Sequence, residues 1–368
     1  MGSAKLAALC GEFCHPSAST TLLQVKCLNS PILIMQKDTV SIYFLRAAVS
    51  RLSPPATARV LQSASISAEL LLSDTARVTA ASFANLWLAI AHELDDEFFG
   101  LCEQKMKVGS FALLCHSVLH SRNLGQAIAN ILRGFAIFLE DIKGTLAIEG
   151  EQATISIANH IALPASRLFA EETYLVMLHG LMCWLAGKRL SPSTVEFSGA
   201  QPAYWREYAI MFSKNLSFDA PCTRIHFDAK LLALPVVQNA TTLKTFLRHA
   251  PQSVFLKYKN PHGWTMKLRR QLRLSLGGVE WPTMEDVALA LHVTPTTLHR
   301  RLEAEGSNYQ SVKDDFRRDA GIEYLSNTQR TIAEIAELLG FQDVSAFRRA
   351  FKAWTGVQPS HYRNSFAV

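Results

Sequence analysis

Three cations and a hydroxyl, Arg348, Arg349, Lys352 and Ser345, stand within "GFQDVSAFRRAFKAWTG" (340–356) among four aromatic rings. A similar set, Thr296, His299 and Arg300, falls within "TPTTLHRRLEAEG" (294–306). These side chains donate hydrogen bonds to phosphate oxygens and to the acceptor edges of bases, with arginine and histidine suited to guanine O6 or N7 and Lys352 suited to a phosphate. The chemistry they offer is recognition of a polyanion.

Bond-breaking chemistry finds less support. "HELDDE" (92–97) lacks the second histidine of a zinc-protease helix, and neither a GxSxG elbow nor a phosphate-binding Walker loop occurs. Asp95, Asp96 and Glu97 read as a solvated helix end. Cys183 lies four residues from His179 on one helical face, a spacing that would allow a thiol nucleophile, but a cysteine in so apolar a helix reads as core. The seven cysteines form no CxxC pair, and "CGEFCH" (10–15) has the wrong gap for haem attachment. We expect no catalytic residue, no metal ligand and no cofactor.

The elements that would position the recognition residues follow from capping and periodicity. Thr283 with Asp286 is capping-box-like, Val287, Ala288 and Leu291 form an inward stripe, "HVT" breaks the run, and Thr294 caps a new helix with Pro295 in its first position. In that second helix Leu298 and Leu302 share one face, leaving Thr296, His299 and Arg300 on the other. The pattern recurs. Thr331 and Glu334 cap "TIAEIAELLG" (331–340), whose stripe is Ile332, Ile335, Ala336 and Leu339 and whose stop is Gly340. Phe347, Phe351 and Trp354 turn inward with Phe341, so Ser345, Arg348, Arg349 and Lys352 face out.

Between the two units, "YQSVKDDFRRDAGIEYLS" (309–326) reads as a helix of roughly 27 Å with Val312, Phe316, Ala320 and Tyr324 inward. A helix of that length, with a unit at each end, can hold two reading helices about one DNA turn apart, roughly 34 Å.

The rest of the chain sets the frame. With 368 residues, 49% hydrophobic and 18% charged, the composition is that of a folded protein of at least two domains. The net charge of +6 permits a polyanionic partner without requiring one, and the cations that matter, including "LRRQLR" (268–273), cluster in the last third. Acids in that third, Glu303, Glu305, Asp314, Asp315 and Asp319, offset them, so attraction must come from a local patch. No apolar run is long enough for a membrane span and no export signal is legible, so the cytoplasm is the expected location.

Residues 1–37 read as a loosely ordered extension. Residues 38–250 mix helical stripes at 80–94, 124–142 and 171–187 with strand-like runs at 144–150, 152–158, 194–199 and 223–229. Residues 251–261 read as a linker and 262–368 as an all-α domain, with helix-turn-helix units at 283–305 and 331–355 joined by the helix 309–326. The expected fold class is α+β: a mixed α/β N-terminal domain followed by this all-α domain.

"GFQDVSAFRRAFKAWTGVQPSHYR" (340–363) resembles the signature of the AraC/XylS transcription regulators, and "TPTTLHRRLEAEG" resembles the first reading helix of that family. The resemblance implies base contacts from Thr296, His299 and Arg300 in the first unit and from Ser345, Arg348 and Arg349 in the second. Position 348, often a small polar residue in the family, is arginine here, which leaves a phosphate contact or a solvated charge open beside base reading. Less specifically, "DDEFFGL" (95–101), residues 109–135 and residues 217–236 resemble the arabinose-binding-like effector half of one branch. That implies a small-molecule effector (an amino acid, another metabolite or an apolar, fatty-acid-like molecule) at residues the sequence does not reveal. The expectation is a bacterial one-component activator binding double-stranded promoter DNA and RNA polymerase, with room for a homodimer. The alternatives are a regulator with an enzymatic N-terminal domain, and a repressor or architectural DNA-binding protein without an effector.

Overall fold

The computed structural model describes residues 39–364 apart from 75, 256–262, 279–280, 305–306 and 356. The expected extension at 1–37 lies outside the described residues, as do residues 256–261 of the expected linker.

The chain enters as strand β1 (Thr39–Ser41), which pairs antiparallel with β2 (Arg77–Thr79). Each strand runs directly into a helix because its last residue is an N-cap. Ser41 accepts from the Tyr43 N–H at the start of Ile42–Val49, and Thr79 accepts from the Ser82 N–H at the start of Ala80–Leu94. Phe83, Leu86, Trp87 and Ile90 are buried on the stripe their spacing predicted.

The helix Ala80–Leu94 ends at Asp95, in the left-handed region. The next residue corrects an expectation: Asp96 is buried, its carboxylate accepting the backbone N–H of Phe98, Gly100 and Met106. It organises the loop from inside, where a solvated helix end was expected, because three amides replace its hydration.

A five-stranded sheet forms from β3 (Ile142–Glu149), β4 (Gln152–Asn159), β5 (Thr194–Glu196), β6 (Leu216–Ser217) and β7 (Thr223–Asp228), in the order β3-β4-β7-β5-β6. Its pairs are antiparallel except β5 with β6. The hairpin β3-β4 is the one its alternation and Gly150 predicted, with Gly150 at φ +59° in the turn. Ala153, Ile155 and Ile157 of β4 and Ile225 and Phe227 of β7 are buried on one face, and Ile155 pairs with Ile225.

The helices Leu124–Phe138 and Pro164–Leu185 pack against this sheet. The first is shorter than 124–142 because Ile142 already belongs to β3. The second begins at Pro164, a full two turns before the expected start at 171, and every residue from Phe169 to Leu185 is buried. Burial all round marks a central helix, with Glu171, Glu172 and His179 buried among its apolar residues. Within the expected linker, Gln252–Phe255 is a helical turn held against it: a Cβ on Gly180 would stand 2.3 Å from the Val254 carbonyl oxygen. Cys183 accepts from the Leu190 N–H inside this core.

After residue 262 the described helices are Trp264–Leu274, Met284–Ala290, Pro295–Ala304, Tyr309–Asn327, Ile332–Leu338, Val344–Thr355 and Pro359–Asn364. Tyr309–Asn327 is the axis, burying Val312, Phe316, Ala320, Ile322 and Leu325, with Tyr324 half-buried. Trp264–Leu274 packs along it. One cation of the basic cluster 268–273 is therefore not on the surface: Arg269 is buried and its Nη2 lies 2.8 Å from Asp319 Oδ2. Asp319, counted among the offsetting surface acids, is buried with it.

Candidate nucleic-acid interface and ligand cavity

Two helical pairs are built from the same local parts. In the first, the Thr283 N–H donates to Asp286 Oδ2 (2.8 Å) and the Asp286 N–H returns to Thr283 Oγ1 (3.2 Å). In the second, Thr331 N–H to Glu334 Oε2 (2.6 Å) and Glu334 N–H to Thr331 Oγ1 (3.2 Å) repeat it. Donation from the threonine N–H and hydroxyl holds both carboxyls below their ordinary range. His292 and Gly340 occupy matching left-handed turn positions. The next amide in each, Val293 or Phe341, donates 3.0 Å back to Ala288 or Ala336.

Each second helix is capped in turn. Thr294 Oγ1 accepts from the Thr297 N–H (3.2 Å), and Asp343 Oδ1 accepts from the Ala346 N–H (2.7 Å). The Asp343 cap was not read from the sequence, although its residue type is a standard cap signal. Leu298 and Leu302 of the first unit hold the places of Phe347 and Phe351 in the second, all buried.

That correspondence fixes the outer faces. Thr296, His299 and Arg300 hold the places of Ser345, Arg348 and Arg349, and all six are exposed, as is Lys352. Arg300, Arg348, Arg349 and Lys352 have no ion-pair partner among the described residues, whereas His299 Nδ1 lies 3.3 Å from Glu303 Oε2. The neighbouring Arg301 is engaged otherwise, its guanidinium 5.7 Å from the centre of the Trp264 ring.

A residue absent from the sequence reading ties the two units together. Arg317, on the axial helix, places its guanidinium 4.7 Å from the Trp281 ring and 4.8 Å from the Phe341 ring, and donates to the Gly340 carbonyl at 2.9 Å. It thus joins the entry to the first unit to the turn of the second.

The second feature is a cavity of about 820 Å³ whose walls come from both halves of the chain. The N-terminal half contributes Thr39, Phe83, Trp87 and Glu172; Arg269, Val312 and Asp315 close it from the other side. Its size and apolar lining suit a small organic ligand.

Glu172 is buried at 1% exposure, and the Tyr208 hydroxyl donates to its Oε1. Burial pushes its carboxyl up to about 8. The same burial, with Glu172 nearby, raises the phenols of Tyr208, Tyr204 and Tyr43, the last two stacked with ring centres 3.5 Å apart. Its neighbour Glu171 is satisfied separately, by Asn159 Nδ2 (3.0 Å), Ser198 Oγ (2.9 Å) and the Thr223 hydroxyl. In the sequence the pair "EE" stood at the expected start of a helix, where acids are unremarkable; the extension of that helix back to Pro164 is what buries them.

Among known proteins, the family described as the arabinose-binding domain of AraC transcription regulator, N-terminal, matches residues 56–236, and a helix-turn-helix domain family matches residues 287–365. The ornithine utilization regulator of Pseudomonas aeruginosa is 29% identical over 307 residues, 83% of this chain and 90% of that protein. The HTH-type transcriptional regulator VqsM of the same organism is 33% identical over 101 residues, 27% of this chain and 31% of VqsM. The solved structure of the transcriptional regulator CdpR, also from Pseudomonas aeruginosa, is 20% identical and covers 88% of this chain and 98% of its own, with a TM-score of 0.32.

Proposed function

This chain belongs to the AraC/XylS family of DNA-binding transcription regulators, and on that premise we propose that it is a ligand-responsive activator reading two successive major grooves of promoter DNA. The observation that carries the reading is the matched placement of Thr296, His299 and Arg300 with Ser345, Arg348 and Arg349, exposed on equivalent helices of two equally capped units. Residues 262–368 form the DNA-binding domain, 251–261 the linker and 38–250 the effector domain. Arg300 and Arg349 read bases, and Lys352 holds a phosphate.

A small molecule in the cavity acts as effector. Because the cavity walls come from both halves, an occupant has different contacts in different arrangements of the halves, which is what a shift of population requires. Activation then proceeds through contact with RNA polymerase, and the N-terminal half supplies a homodimer contact. No residue is given a catalytic role and no cofactor is needed.

Footprinting of the full chain on its own promoter region tests this. Two protected stretches about one helical turn apart on one face of the duplex are expected. Uniform, sequence-independent protection would count against it.

A further inference from the structure

Of the six charged side chains on the cavity wall among the described residues, Glu172, Arg189, Glu207, Lys214, Arg269 and Asp315, three are held in ion pairs. Glu207 is held by Arg77, whose Nη2 lies 3.1 Å from Oε2; Asp315 by Arg318 at 2.8 Å; Arg269 by Asp319 at 2.8 Å. Glu172 has no cationic partner among the described residues. Its Oε1 receives the Tyr208 hydroxyl, and its Oε2, sealed from water, has no hydrogen-bond partner among the described residues. A carboxyl is costly in such a place unless something else completes it.

The wall around it is a run of aromatic rings. Phe255 and Phe83 are 5.5 Å apart by ring centres, Phe83 and Trp87 6.2 Å, Trp87 and Phe99 4.6 Å, and Phe99 and Phe169 5.2 Å. All line the cavity. Ring faces attract cations and disfavour anions, while apolar surface accepts a hydrocarbon body. Two further cations line the cavity, the half-buried Arg189 and the exposed Lys214; the Lys214 charge sits in water, where it is screened.

We propose that the effector is an amine: an ammonium group on an apolar or aromatic body, with the ammonium received by the Glu172 carboxylate and the body lying on the aromatic wall. This rests on the reading of the cavity as the effector site and names the chemistry that site selects. The titratable neighbours of Glu172 are Tyr208, Tyr204 and Tyr43, all kept protonated by burial, and Glu171. In the empty cavity near neutral pH, Glu172 is largely the neutral acid, since burial raises its carboxyl to about 8. Arrival of an ammonium ion ionises it, and the displaced proton leaves to the buffer, so each amine bound as its cation releases up to one proton.

The test is calorimetric titration of the full chain with three probes sharing one body: phenethylamine, 2-phenylethanol and 3-phenylpropionate. Phenethylamine is expected to bind roughly tenfold or more tighter than the other two, the scale of a charge-assisted hydrogen bond. Titrations in buffers of different ionisation heat should report proton release for phenethylamine alone. Glu172→Gln, which keeps the shape of the side chain and an oxygen for Tyr208, should lose both the preference and the release. Equal binding of the three probes, an amine preference that persists in Glu172→Gln, or failure of all three at millimolar concentration would overturn the proposal. Tighter binding of 3-phenylpropionate would overturn the amine assignment while leaving the cavity as the effector site. If Glu172→Gln does not fold, the buffer series on the unaltered chain decides alone, and amine binding without proton release overturns the proposal.

Discussion

Thr39 and Asp319 stand 280 positions apart in sequence, yet the threonine hydroxyl donates to the Asp319 carboxylate at 3.3 Å. The contact is the middle of a chain. Arg77 Nε donates to Thr39 Oγ1 (3.0 Å) and Arg77 grips Glu207, while Arg269 and Arg318 hold Asp319 from the other side. The Tyr362 hydroxyl, near the C-terminal end of the described chain, adds a bond to the Arg77 carbonyl at 2.7 Å. The two halves therefore meet through directional contacts, and Thr39, Glu207 and Arg269 also line the cavity. An occupant and the link between the halves share the same side chains.

Asp319→Ala should be strongly destabilising, because it leaves Arg269 buried without its carboxylate, the two side chains being 7% and 0% exposed. The expected loss is about 3–5 kcal/mol in urea unfolding. Arg269→Met combined with Asp319→Leu, which removes both charges, should recover much of it. A double variant as unstable as Asp319→Ala would show that the hydrogen bonds to Thr39 and Arg318 matter more than the ion pair.

Gly340→Ala should damage the second unit far more than its size suggests. Gly340 sits at φ +67°, and a Cβ there would stand 1.9 Å from Cδ1 of the Trp281 ring. The backbone strain and the overlap together should cost about 2–5 kcal/mol. Thermal unfolding followed by tryptophan fluorescence reads it directly, since Trp281 is the residue displaced; an unchanged midpoint would mean the turn relaxes freely.

The parts of this molecule legible in the sequence are those whose partners lie three or four residues apart. The capping boxes at Thr283 and Thr331, the stripe of Phe347 and Phe351 and the stop at Gly340 are local, so periodicity and residue type suffice. Arg269 looked like a surface cation because its partner is fifty positions away, and Thr39 gave no sign of its own. Asp96 was misread because its three donors come from a loop with no repeating pattern. Glu172 escaped notice because the expected start of its helix at 171 placed it at an end, whereas the helix runs from Pro164 and holds it in the interior. Which side chains face outward on the two second helices was readable, and the cavity was not, since a cavity is assembled from distant segments.

Arg300→Ala and Arg349→Ala should each weaken binding to the specific site by about 1–3 kcal/mol if the side chain reads a base with two hydrogen bonds. Each should relax the sequence preference in only one half of the site, because the two residues lie on separate units. Lys352→Ala should instead weaken specific and non-specific binding alike and lower the salt dependence by about one counterion. Gel-shift titration at two salt concentrations separates the cases, and unchanged binding in both arginine variants would refute their assignment.

Glu172 should also give the protein a characteristic dependence of stability on pH. In the unfolded chain its carboxyl ionises near the ordinary 4.5, whereas in the native protein burial holds the proton until about 8. Between those values the native state binds more protons than the unfolded state, so this group's contribution to stability is complete below about pH 4.5 and is lost as pH rises towards 8. The slope is at most about 1.4 kcal/mol per pH unit. Glu172→Gln has no such proton to lose, so urea unfolding should show the variant gaining on the unaltered chain as pH increases through that window. Parallel curves for the two proteins would mean that Glu172 is ionised in the native state, held by a partner supplied from outside the described residues.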